Sequence, residues 1–381
     1  MATEELVALP GTVRVRPPEE TWQALAGVLP LYGITRVADL TGLDCVGLPV
    51  WTAIRPASIT LSTAQGKGAT GLLARISAVM EAIELWYAEQ RLPIAARGPA
   101  AEVAPGCPVA ALPLAVPHPE QVLRQTVWEW ASGTGLVHGR DTLLPVDLVR
   151  RRAQRPEWTP DLLRATSTGL ACGNSRDEAL LHALFEVVER DVLHRDAQAS
   201  GRRRAPIDPS SVDDPYGQEV IGRLASAGME FEVRAVENPY GLPVCSAYLW
   251  SEDYTAVFAG AGCHSSAPIA LTRALTEAAQ SRLAVIAGTR DDLPTDPQAF
   301  APPVFRPAPT GGLTAWSEAT CQYAPPTGSF TGQVGDVARL IEGVTGHEPV
   351  ALDLSFPGDP VHAVQVICPG TGARVKRAMQ R

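Results

Sequence analysis

Residues 169–189 read GLACGNSRDEALLHALFEVVE, and the second half of that stretch repeats elsewhere in the chain. From Ala179 the order is Ala, three residues, Ala183, two residues, Glu186, two residues, Glu189. The same order stands at Ala74, Ala78, Glu81 and Glu84, and again at Ala270, Ala274, Glu277 and Gln280. Positions i, i+4, i+7 and i+10 lie along one face of an α-helix. The spacing therefore predicts three helices with one stripe: small, small, acid, then acid or amide. Each follows a glycine-rich segment read as a loop: GKGAT at 66–70, GLACGNS at 169–175 and GAGCHSS at 260–266. In the first two copies thirteen positions separate a glycine (Gly68, Gly173) from the first glutamate. The alanines let each stripe approach another backbone closely. Leu73, Ile76, Met80 and Ile83, like Leu180, Leu184, Val187 and Val188, sit mostly off the stripe, so the carboxylates ride on otherwise buried helices. A single ExxE is ordinarily a solvated face. Two copies and an ExxQ in register argue for a shared site, the alternative being a structural repeat that diverged without chemistry.

Outside the repeat, strand-like runs fall at 35–40, 48–61, 230–236, 243–250 and 361–368. They alternate with helical stretches, one starting near Pro17-Pro18-Glu19-Glu20, where proline and acids suit a first turn. The expected class is α/β or α+β. Proline-rich stretches at 98–118 and 293–310 read as surface connections.

The 381 residues are 45% apolar and 19% charged, enough to bury a large core and too apolar for global disorder. A net charge of −9 lacks the basic footprint of a nucleic-acid binder. No run of about 18 apolar residues offers a membrane span, and MATEELVALPG is acidic where a signal peptide would be basic. The seven cysteines are odd in number and never in CxxC spacing, which argues against a disulfide framework or a zinc site. They are read as core residues in a reducing cytoplasm. The seven histidines show no paired ligand spacing and are read as structural.

If the stripes converge, Glu81, Glu84, Glu186, Glu189 and Glu277 share one region. Gathering anions without counter-charge costs several kcal/mol per ion. Either their pKa values rise or a cation neutralises them. A set of oxygen ligands selects Mg2+ or Mn2+ over zinc, and Mg2+ held by carboxylates commonly completes its shell with water and phosphates. A nucleotide follows from that reading, and Lys67, Arg190 and Arg282 are cations close by in sequence. P-loop, GxGxxG, HExxH and GxSxG patterns are absent. No nucleophile stands beside an obvious base, which suggests catalysis by positioning and electrostatics.

These blocks resemble those of YcaO-domain proteins: GKGATGLLARISAVMEAIE (66–84), STGLACGNSRDEALLHALFEVVERD (167–191) and GAGCHSSAPIALTRALTEAAQSR (260–282). The likeness runs from about residue 50 to the C-terminus, dividing the chain into an N-terminal segment, 1–50, and a catalytic domain, 51–381. RVADLTGLDCVGLPVWTAIRP (36–56) resembles the subgroup that works with TfuA-type partners or alone. The resemblance implies a YcaO-like fold of strand and helix units around an ATP–Mg site. Glu81, Glu84, Glu186 and Glu189 would carry the metals, and Lys67, Ser77, Asn174, Glu178, Arg190 and Gln280 would touch the nucleotide. Arg282 joins that set as a nearby cation. The implied activity spends ATP to activate a backbone amide of a ribosomally made precursor peptide, giving an azoline, an amidine or a thioamide. The implied partners are that peptide and a TfuA-like protein, with a homodimer left open. Leu85 follows Glu84 where the family commonly has Arg, and Thr168 stands where it commonly has Asn. The chain closes on VKRAMQR, without the Pro-x-Pro-x-Pro tail frequent in azoline formers. A non-catalytic peptide-binding module and a metal-dependent phosphatase are the competing expectations.

Overall fold

The computed structural model describes residues 6–150, 162–163, 165–254, 256–288, 312–324 and 328–372. A hairpin of β1 (Val7–Leu9) and β2 (Thr12–Arg14) leads into α1 (Pro18–Ala26). Then come β3 (Arg36–Asp39), β4 (Val50–Ile54), β5 (Thr63–Lys67) and the first repeat helix, α2 (Gly71–Glu89). The middle of the chain forms β6 (Ala96–Pro99), α3 (Ala100–Val103), α4 (Glu120–Gln125), β7 (Val127–Gly135) and β8 (Asp141–Pro145). The second unit is β9 (Leu170–Gly173) and α5 (Arg176–Gln198). After β10 (Arg204–Pro206), α6 (Pro215–Ser226), β11 (Glu230–Val236) and β12 (Val244–Trp250) comes the third, β13 (Phe258–Cys263) and α7 (Ala267–Ala287). Then follow α8 (Trp316–Thr320), α9 (Phe330–Thr345), β14 (Val350–Asp353) and β15 (His362–Ile367).

The named strands pair antiparallel in four sheets: β1-β2, β3-β4-β5, β6-β7-β14-β15-β9 with β8 on β7, and β10-β11-β12-β13. The class is mixed α/β. The division at residue 50 falls at the start of β4, whose partner β3 lies before it. Three of the sheets end on a repeat strand, β5, β9 or β13, with its helix following directly. Each helix packs on its own strand and reaches the next unit's: α2 touches β9, α5 touches β13, and α7 returns to β5. The three units thus close a ring.

The glycine-rich segments are largely these strands rather than loops. Their glycines serve close approach. A Cβ on Gly66 would lie 2.4 Å from the Ala74 carbonyl oxygen and 1.9 Å from the Ala78 nitrogen. A Cβ on Gly262 would lie 2.2 Å from the Ala270 carbonyl and 3.0 Å from the Ala274 nitrogen. Those alanines are the first two positions of the stripe, completely buried in both helices. The second unit has Ala171 at the matching strand position, with Ala179 and Ala183 equally buried.

Two expectations need correction. Residues 98–118 are more than a surface connection, because Ala100, Cys107, Val109 and Leu112 are buried in the core beside α2. Small and apolar residues between the prolines give that segment something to bury. The 293–310 stretch lies outside the described residues. Cys45 and Cys321 are exposed rather than core; the other five cysteines are buried, and all seven are free. No described helix is long and apolar enough to cross a membrane.

Gly66→Ala should force β5 off α2 and destabilise the chain by roughly 1–3 kcal/mol, the usual range for overpacking. Gly27→Ala, with nothing within 4 Å of its added Cβ and an ordinary φ of −79°, is the control and should change the urea midpoint little.

Candidate active site

The three stripes meet inside the ring. Glu84 feels the charges of Glu81 and Glu186; Glu186 feels Glu81, Glu189 and Glu277. Glu189 in turn feels Glu277 and the cations Arg190, Lys67 and Arg273. Lys67 Nζ lies 3.4 Å from Glu277 Oε2, while Arg190 spans Glu186 and Glu189 at 3.7 Å each.

The fourth position of each stripe points at the next unit's strand. Glu84 accepts a hydrogen bond from the Cys172 backbone N–H at 2.8 Å. Its counterpart Glu189 lies beside Cys263, the residue of β13 equivalent to Cys172. The third counterpart is an amide, and it reverses the bond: Gln280 Nε2 donates to the Gln65 carbonyl at 2.9 Å. The ExxQ variant thus follows from the group it faces, since a carboxylate would meet that carbonyl oxygen with its own lone pairs.

Burial is the leading cause that raises the glutamates. It pushes Glu84 well above the ordinary carboxylate range, partly offset by the Cys172 N–H. Glu186 and Glu189 are pushed up to about 7, burial first, with neighbouring carboxylates adding to it and Arg190 opposing. Mutual repulsion, the cause expected from the sequence, comes second to desolvation in both. Arg190 is itself pulled down by burial, but Glu186, Glu189, Glu277 and Glu81 outweigh this and hold it protonated.

Other expected residues are placed as follows. Asn174 and Glu178 are buried against the N-terminal segment. Glu178 accepts from the Val15 N–H at 2.9 Å and from Arg14 Nη1 at 3.3 Å, and Thr21 donates to Asn174 Oδ1 at 2.8 Å. Ser77 is half-buried on α2. The Arg282 guanidinium is taken up outside the glutamate cluster, by Asp44 at 3.1 Å, Asp253 at 3.2 Å and Ser251 at 2.7 Å.

Three residues escaped the sequence reading. Arg14 arrives from β2 and faces Glu178, Glu84 and Arg273. His182 and Arg273 stand in the second and third units at the position Ser77 holds in the first, one residue before the second alanine. That register was the available signal. For Arg14, in TVRVRPP (12–18) beside Arg16 and outside the repeat, the sequence carried none.

The donor set suits a hard cation. It is all oxygen, five glutamates deep, and Glu186 and Glu189 stay raised even with Lys67 and Arg190 at hand. Among the described residues no three His, Cys, Asp or Glu side chains already form a coordination cage. Glu84, Glu186, Glu189 and Glu277 are engaged instead with N–H donors and cations of the chain.

Residues 65–372 match the model of the YcaO cyclodehydratases, described as ATP- and Mg2+-binding; the chain belongs to this family. It is 34% identical over 366 residues to the uncharacterized protein Rv1375 of Mycobacterium tuberculosis, covering 94% of this chain and 82% of that one. It is 32% identical over 386 residues to an uncharacterized protein in the tfuA 3' region of Rhizobium leguminosarum bv. trifolii, covering 94% and 88%. Among solved structures, YcaO from Methanopyrus kandleri bound with AMPPCP and Mg2+ superposes with a TM-score of 0.74 at 21% identity, over 98% of this chain and 99% of that one. A heterocyclase in complex with substrate and cofactor superposes with a TM-score of 0.73 at 20% identity, over 97% of this chain and 55% of that one. At these identities the structural likeness carries the fold.

The raised glutamates make a pH prediction for the metal-free chain. A carboxyl whose folded pKa exceeds its unfolded value stabilises the fold below the unfolded value, and this contribution is lost as pH rises through about 7. The loss is on the order of 3 kcal/mol per group taken alone. The Glu186→Gln, Glu189→Gln double variant should therefore match the wild type near pH 4.5 and exceed its denaturant midpoint at pH 8. Parallel curves across that range would remove these two groups from the cause.

Proposed function

We propose that this chain spends Mg·ATP to activate the oxygen of a peptide backbone amide, so that a nucleophile adds at the amide carbon of a precursor peptide. The observation that carries it is the convergence of five glutamates from three repeats, in a chain of the YcaO family. Glu81, Glu84, Glu186 and Glu189 would hold Mg2+, which supplies positive charge to phosphate oxygens. With Glu186 and Glu189 on the metal, Arg190 would be released from its present partners as a donor for an anionic ligand, while Lys67 would keep Glu277 beside it. Ser77, Asn174, Glu178 and Gln280 would line the nucleotide. Arg282, gripped by Asp44 and Asp253, would hold α7 in place.

The product class follows from the nucleophile: a side-chain thiol or hydroxyl gives an azoline, an amine an amidine, a sulfide donor a thioamide. The relative in the tfuA 3' region supports a TfuA-like partner. The test combines the chain, with and without a TfuA-like protein, and short peptides encoded beside its gene. Peptide-dependent ATP consumption is expected, with a mass change of one lost water for cyclisation or of sulfur replacing oxygen for a thioamide.

Glu81→Ala and Glu189→Gln should each lower ATP turnover by roughly 10²–10³, the range for removing one preorganised electrostatic group. Normal turnover in either folded variant would refute the metal assignment. Mg·ATP at a hundredfold excess over Kd should stabilise the wild type by about 2.7 kcal/mol. The shift should be larger at pH 8 than at pH 5.5, where protons compete for the carboxylates, and should vanish with EDTA.

A further inference from the structure

His182 lies on the inner face of α5, at the repeat position of Ser77 and Arg273, and is half-buried. Arg273 Nη1 lies 3.4 Å from its Nδ1. A guanidinium has donors and no acceptor. The Nδ1 must therefore accept, and the ring proton of the neutral imidazole sits on Nε2. Among the described residues Nε2 has no hydrogen-bond partner. The charges that weigh most on it are cations, Arg273 on α7, Arg14 on β2 and Lys67 on β5, with His264 after β13 as a further neighbour; Glu178 and Glu186 stand one turn either way along α5. Burial and these cations hold the imidazole far below its ordinary pKa, so it stays neutral at working pH.

The nearby His264 is a useful contrast. It too has its Nδ1 occupied, by the Ser266 N–H at 2.9 Å, but it is buried, tilted against Phe185 and spent on the start of α7. His182 has an accessible edge and an uncommitted donor.

We propose that His182 is a neutral, single-tautomer hydrogen-bond donor whose Nε2–H binds the carbonyl oxygen of the peptide bond being activated. The inference rests on the activity proposed above. As the nucleophile's new bond to the amide carbon forms, the carbonyl π pair moves onto oxygen, which ATP then captures by its phosphorus with departure of the nucleotide leaving group. The nucleophile's proton passes to solvent; His182 gives up none. A neutral imidazole can polarise a carbonyl in this way without itself changing charge. Arg273 is a positioning residue that fixes the tautomer.

The first readout needs no substrate. Histidine 15N-NMR of the whole chain should show His182 protonated at Nε2 alone from pH 5.5 to 8, and Arg273→Leu should mix the tautomers. A doubly protonated ring, or a proton on Nδ1, overturns the inference and leaves the proposed activity standing. The second readout uses Mg·ATP and the flanking-gene peptide. His182→Leu should lose kcat by roughly 10²–10³, with KM for Mg·ATP within about threefold of wild type. His182→Gln, which keeps an N–H near Nε2, should recover at least tenfold of that loss and keep the wild-type pH profile. A folded Leu variant with wild-type kcat, a loss confined to the KM of Mg·ATP, or a Gln variant no better than Leu would each overturn the role. A wild type that spends no ATP on any flanking-gene peptide refutes the activity itself, and the carbonyl assignment with it.

Discussion

Gly66 and Gly262 carry no side chain where β5 and β13 cross α2 and α7, and the facing helix positions are alanines. Backbone therefore rests almost on backbone at these crossings. That contact sets the height of each helix above its strand, and so the depth to which the third and fourth positions of the stripe reach into the ring. A methyl group on the glycine would push the acids outward by the thickness of a carbon. The small residues thus govern charges three and six residues further along the same helix.

The ring they build is electrostatically expensive. Five glutamates share one region with Lys67 and Arg190, and burial above all pushes two of them up to about 7. Natural sequences accept such local conflict at sites of chemistry and offset it elsewhere. Here the offset lies in the surrounding core: Ala179, Leu180, Ala183, Leu184, Val187 and Val188 of α5 are all buried together. A helix held by so many buried apolar contacts keeps its place although its acids are raised.

The acidic repeat was legible because helical periodicity is written in the sequence itself, and three copies in register made chance a poor explanation. The glycine segments were misread because glycine marks both a turn and a close approach, and only the packing partner tells which. Antiparallel neighbours such as β15 and β9 are nearly two hundred residues apart, and local pattern does not reach that far. Arg14 was invisible for the same reason: its partner Glu178 lies 164 positions away. His182 was set aside for lack of a second ligand at metal spacing, although its register with Ser77 placed it on the inner face. Arg282 looked like a site cation from its neighbours on the helix, but Asp44 and Asp253, from other elements, claim it.

The hairpin that carries Arg14 and Val15 to Glu178 also orders events during synthesis. Domains take shape as the ribosome releases them from the N-terminus. The first residues of this chain must then wait, unpaired, until α5 has emerged. The ring waits longer still, because Gln280 of the third unit bonds back to Gln65 of the first. A nascent chain that has not yet made α7 therefore lacks the helix that returns to β5, although β9 and β13 already stand beside the first two acid pairs. The tie between the third unit and the first is therefore the last of the ring's contacts that the order of synthesis allows.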